Sequence, residues 1–91
     1  MSEVTLTWVY DAGHEWLEVV GDAALARACS TGYDYVSGET VYLECDISAG
    51  IYLEARGFRH PEIIAIGARE WSPRHLERLE AGPRGLARLG Y

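Results

Sequence analysis

Three groups of residues in this chain are equipped for chemistry: a histidine among acids, a set of carboxylates with aromatic neighbours, and a late series of arginines. His14 lies close to Asp11, Glu15 and Trp16. A histidine beside carboxylates can act as a general base or a metal ligand. No H-x-x-H, H-x-x-x-H or C-x-x-C spacing supplies the further ligands, and the plainer role is a hydrogen bond that ties down a turn. Cys45 stands between Glu44 and Asp46, whose charges raise a thiol's pKa and weaken it as a nucleophile. Glycine-rich phosphate loops and nucleophile elbows are missing. The sequence therefore points away from an enzyme. It offers no catalytic residue, no metal site and no cofactor to assign, and a small enzyme or metal protein around His14 ranks third among the readings.

The carboxylates Glu18, Asp34 and Glu44 fall in strand-like stretches with Trp16 and Tyr42 among them. Projected from one sheet surface, they would make a rigid acidic patch with aromatic anchors, suited to a basic groove on a protein partner. The arginines Arg74, Arg78, Arg84 and Arg88 form the alternative basic site. A basic helical face can hold phosphates, but Glu70 and Glu80 stand at i, i+4 spacing from Arg74 and Arg84, the pattern of a salt-bridged solvated face. Direct nucleic-acid binding therefore ranks below protein binding.

Charge supports that order. The net charge of the 91 residues is −6, unevenly spread. Residues 1–54 hold ten acidic residues against Arg27 alone (net −9), and residues 55–91 hold seven arginines against four glutamates (net +3). One half of a copy would complement the other half of a second, so a homodimer is a further possibility. With 48% hydrophobic and 24% charged residues the composition is that of a globular protein, and the length allows a single domain over residues 1–91. No apolar run approaches the ~20 residues of a membrane span. Without a secretory leader, the expectation is a cytoplasmic protein with Cys29 and Cys45 reduced.

These residues must be positioned by short elements. Glu3–Tyr10 alternates apolar and polar residues as a half-buried strand does, and Glu15–Val20 reads as a second strand with Leu17 and Val19 inward and Trp16 near an edge. Asp22 is a suitable N-cap for a helix over Ala23–Cys29. Tyr33–Asp46 reads as a hairpin about Ser37-Gly38, and its register decides which residues share a face. A two-residue turn would put Asp34 with Val41 and Leu43. A three-residue loop, Val36-Ser37-Gly38, puts Tyr33, Tyr35, Val41, Leu43 and Cys45 inward and leaves Asp34, Thr40, Tyr42 and Glu44 outward. The second arrangement is preferred. A helix over Ala49–Arg56 follows, capped by Asp46 or Ser48, then a strand through Ile63, Ile64, Ala65 and Ile66. The last main helix starts at Ser72-Pro73, with Trp71 stapled on Leu76, and stops at Gly82-Pro83. Leu86 and Leu89 are spaced for one more helical turn. The predicted class is α+β: a mostly antiparallel sheet of about five strands with two to three short helices, in the order β-β-α-β-β-α-β-α.

Over Tyr10–Gly57 the chain resembles a group of small proteins from phage and other mobile elements. Their pattern is a His-Gly-Trp-Leu-x-Val strand, a short helix and a Tyr-x-Tyr-x-x-Gly-x-x-Val-Tyr-Leu-Glu hairpin. His14, Trp16, Leu17 and Val19 match the first part. Tyr33, Tyr35, Gly38, Val41, Tyr42, Leu43, Glu44 and Asp46 match the second, and Tyr52-Leu53 answers an aromatic-Leu pair in the next helix. Glu15, Asp34 and Cys45 depart from the pattern, which has glycine, serine and an acid there. The resemblance implies a phage or mobile-element accessory protein in the cytoplasm of a host cell. Combined with the acidic surface, it suggests an inhibitor of host defence of the anti-CRISPR type, bound to a host protein with a basic, nucleic-acid-binding site.

Overall fold

The computed structural model describes residues 3–91, apart from the side chains of residues 63 and 64. Its elements are β1 (Thr5–Tyr10), β2 (Glu15–Val20), α1 (Ala23–Ala28), β3 (Asp34–Ser37), β4 (Thr40–Glu44), α2 (Ser48–Ala55), α3 (His60–Ile64), β5 (Ala68–Glu70), β6 (Glu77–Leu79) and α4 (Pro83–Arg88). The six strands form one sheet in the order β5-β1-β2-β4-β3-β6. All neighbours are antiparallel except β1 and β5. The α+β class is as predicted, with one strand and one helix more than expected. Among the described residues, no helix is long and apolar enough to cross a membrane.

Both faces of the central strands are covered. Leu17 and Val19 of β2 face Leu43 and Val41 of β4, and this side packs on Ala26, Cys29, Ala49, Tyr52 and Leu53 from α1 and α2. On the other side Val9, Trp16 and Tyr42 are buried beneath Tyr35, Trp71 and Leu76. Trp16 is thus the middle of a second layer and not an edge residue.

The hairpin takes a two-residue turn, at Gly38-Glu39 and not at the expected Ser37-Gly38, with Ser37 opposite Thr40 and Gly38 at φ 60°. This corrects the predicted register: Asp34 and Val36 share the helix-covered face with Val41 and Leu43, while Tyr35 lies opposite Tyr42. A carboxylate is tolerated there because its hydrogen-bonding capacity is met. Asp34 accepts from Ser30 Oγ (2.7 Å), Thr31 N (3.0 Å), Ser48 Oγ (2.9 Å) and Glu44 N (2.7 Å). Ser48 is therefore occupied and caps nothing. Asp22 likewise stands before α1 without capping it, because its carboxylate accepts from Tyr52 Oη (2.8 Å) and Arg56. Cys45, placed inward by the predicted register, is only half-buried.

The last third differs most. The predicted strand around Ile63–Ile66 begins as α3, with Ala65 exposed; the burial proposed for Ile63 and Ile64 lies outside the described residues. No helix starts at Ser72. Its hydroxyl donates to Asp11 (2.8 Å), Pro73 is buried, and the segment from Trp71 to Leu76 crosses the sheet before β6 pairs with β3. A good local helix signature has yielded to contacts across the chain. Gly82-Pro83, expected as a stop, instead opens α4.

Candidate functional site

Four of the five residues expected on an acidic binding face are inside the protein. Asp34 is 0% exposed, Trp16 2%, Tyr42 6% and Glu18 9%; only Glu44 reaches the surface in part. Asp34 is enclosed on the helix-covered face, and the other three are covered by the arginine-rich last third. Arg69 on β5 grips Glu18 through two bonds of 2.9 and 2.7 Å, and Tyr42 Oη donates to the same carboxylate at 2.9 Å. Trp71 packs on Tyr42 with ring centres 5.1 Å apart. Arg74 lies 5.0 Å above the Trp16 ring while its Nε reaches Asp11 at 2.7 Å. The charge complementarity that suggested pairing of two copies is thus used within one chain.

The electrostatics follow from these contacts. Arg69 beside Glu18 holds its carboxyl below the usual range, against the opposing effect of burial. Burial and the neighbouring Glu18 push the Tyr42 phenol up to about 12. The Arg74 guanidinium, the Gly13 N–H and the Ser72 hydroxyl together keep Asp11 ionised far into acid.

The four arginines of the alternative basic site do not come together. Arg74 and Arg78 serve the sheet's outer face, where Arg78 sits 5.8 Å from both the Tyr33 and Tyr35 rings. Arg84 and Arg88 belong to α4, whose packing partners α1 and α2 cover the other face. There Arg88 pairs with Glu54 at 3.0 Å across an open groove of about 580 Å³ between α2 and α4. That groove is large but holds no cluster of reactive groups.

A smaller cleft, about 130 Å³, is chemically richer: His14, Trp16, Tyr33, Tyr35, Glu44, Arg74 and Arg78 line it. It opens at the end of the sheet where β2 begins and β4 ends. His14 is held by its backbone N–H on Asp11 Oδ1 (2.9 Å) and by edge contact with Trp16, so it is the Asp11 carboxylate, and not the imidazole, that ties down the turn. Its Nε2 lies 3.4 Å from Glu44 Oε2 and 3.8 Å from Asp46 Oδ2, yet makes no well-formed hydrogen bond. Cys45 Sγ stands beside them, 3.6 Å from Asp46 Oδ1. Sequence spacing misses this group because 14 and 45–46 meet only through β2–β4 pairing, which Cys45 N extends to Glu15 O (3.1 Å).

Neither thiol is activated. Burial, then Asp46, pushes Cys45 up to about 11, and burial raises Cys29. Both cysteines are free. Comparison with protein-family models, curated proteins and solved structures finds no match to this chain.

Proposed function

We propose that this protein is a non-catalytic binding module that engages a basic segment of a protein partner through the acidic end of its sheet. One observation carries the reading. The acids on the sheet's outer face are neutralised in cis, whereas Glu15, Glu44 and Asp46 have no arginine partner among the described residues and gather at one end near the cleft. Tyr33, 58% exposed, stands at the same cleft as an aromatic anchor. Acids without an ion-pair arginine beside an exposed tyrosine are the pattern that steers and then holds a cationic partner.

The resemblance to small phage and mobile-element proteins supports the narrower version, an inhibitor of host defence that occupies a nucleic-acid-binding site. The partner is then a host protein whose arginines and lysines ordinarily meet phosphate. The test is capture of such a partner by the wild type and by Glu15→Arg/Glu44→Arg/Asp46→Arg, beside an Arg84→Glu/Arg88→Glu control on α4. The acidic triple should remain folded and associate about tenfold or more slowly, with the difference shrinking in high salt. The α4 pair should bind as wild type. Unchanged capture by the triple would overturn the reading. Salt-sensitive binding of bare DNA or RNA, lost in the α4 pair, would put the arginines in its place.

A further inference from the structure

The geometry points to a transition-metal site at the mouth of the cleft, made by His14, Cys45 and Asp46, with Glu44 beside His14. One ligand atom from each of the first three lies within 4.8 Å of the other two. Around a zinc ion with bonds of about 2.0–2.3 Å, tetrahedral ligand atoms stand roughly 3.3–3.8 Å apart. Two of the separations are already in that range: His14 Nε2 to Glu44 Oε2 at 3.4 Å and to Asp46 Oδ2 at 3.8 Å. Cys45 Sγ lies 3.6 Å from the other oxygen of the same carboxylate, Asp46 Oδ1, so Asp46 faces both partners. The three ligand atoms, within 4.8 Å of one another, need only draw together to reach tetrahedral spacing.

Three further features favour a metal over an ordinary polar cluster. His14 Nε2 is fully covered and has no hydrogen-bond partner, although it faces two carboxylates. The backbone is fixed before any ion arrives, since His14 N is bonded to Asp11 Oδ1 and Cys45 N to Glu15 O. The Asp46 carboxylate and the Cys45 thiol also meet without an arginine partner among the described residues, with Glu44 on the far side of His14 Nε2, a charge that a divalent cation would neutralise. One thiolate, one imidazole and carboxylate oxygens are a borderline-soft set, suited to zinc and not to calcium or magnesium. The ligands project at the sheet's end, and the role that follows is to fix the turn at His14 to the end of β4. This inference competes with the partner reading for Asp46, and it is decided separately because it is read on the isolated protein.

The test uses the full chain, stripped with a chelator and titrated with zinc alone by calorimetry, then with cobalt in the visible and near ultraviolet. One equivalent of zinc should bind, and cobalt should show a thiolate charge-transfer band with tetrahedral d–d absorption. Cys45→Ser should abolish that band. Asp46→Ala should keep it while weakening zinc by about 10–100-fold or more, the loss seen even when only a ligand's outer partner is removed. His75→Ala and His60→Ala should change neither signal. Circular dichroism checks that each variant is folded, and the wild-type titration decides the matter even where a variant is not. Absence of one-to-one zinc binding, a cobalt spectrum without the thiolate band, or loss of binding in His75→Ala would each overturn the site and leave His14, Glu44 and Asp46 as a polar cluster only.

Discussion

The two faces of the sheet are closed by different chemistry. The helix-covered face is filled by Leu17, Val19, Val41, Leu43 and their helical partners, and its polar exception, Asp34, has every oxygen engaged. The other face has no helix. It is closed by a crossing segment that brings two guanidinium groups over Glu18 and Trp16, and indole over phenol. A short chain has few apolar residues to spare for a second layer. Arginine stems and aromatic rings cover area there while their charged ends stay near water. The first face should therefore behave as the stable unit and the second as the adjustable one.

Substitutions on the helix-covered face should have the largest effects. Asp34→Ala would leave Thr31 N and Glu44 N without the acceptor they now use, a loss of about 3–5 kcal/mol that a denaturant melt would register. Leu43→Ala, a truncation at a fully buried position, should cost about 2–5 kcal/mol. An Asp34→Ala protein as stable as wild type would mean that the hairpin has slipped by one residue and the carboxylate faces solvent. Gly85→Ala extends the test to α4: a methyl group there would collide with the Ser30 carbonyl, in the loop that also supplies Ser30 Oγ to Asp34. It should destabilise by about 1–3 kcal/mol.

Smaller costs are expected opposite. Tyr42→Ala removes a buried ring and the hydroxyl that bonds Glu18, yet the crossing segment can settle into the gap, so about 2–3 kcal/mol is expected. Arg69→Met keeps the stem and removes the charge, leaving Glu18 with Tyr42 alone. It should cost about 1–2 kcal/mol and expose Trp71 to quencher without altering the helix signal. Equal losses on the two faces would erase the distinction.

The elements read correctly from sequence are those whose pattern is local. Alternation in Glu3–Tyr10 and Glu15–Val20 was enough for β1 and β2, and the segments around Leu25 and Ile51 were enough for α1 and α2. The hairpin register was not local. An aspartate opposite leucine looks wrong until Ser30, Thr31 and Ser48, brought by two other elements, provide its donors. Ser72-Pro73 failed for the same reason: Ser72 Oγ still accepts from Arg74 N, but its hydroxyl and the Arg74 guanidinium both donate to Asp11, 61 residues from Ser72, and the chain runs on across the sheet. The acidic face was placed on the right strands for Glu18 and Tyr42, but composition alone could not show that the arginines fold back over it. Glu44 remained at the surface because it stands at the last residue of β4, beyond the reach of that cover.

Acid offers the finest separation of the two faces. Glu18 has its carboxyl pKa depressed by Arg69 and by the Tyr42 hydroxyl, so the folded value lies below the unfolded one of about 4.3. A depressed carboxyl contributes stability that is complete above the unfolded pKa and is lost as pH falls through the folded value. The contribution is therefore full at neutrality and disappears only below about pH 4. Because the Arg69 side chain is half exposed, solvent screening keeps it to roughly 1 kcal/mol. Asp11, lowered by Arg74, acts on the same segment and in the same direction. Acid should then release the crossing segment before the helix-covered face opens. Trp16 and Trp71 would report it in tryptophan emission, while far-ultraviolet dichroism stays native until lower pH. In Glu18→Gln the neutral amide removes that acid-sensitive step, so its emission at pH 7 should already be shifted part-way towards the acid form. Emission and dichroism that fall together in the wild type, and an acid profile unchanged in Glu18→Gln, would show that the two faces open as one.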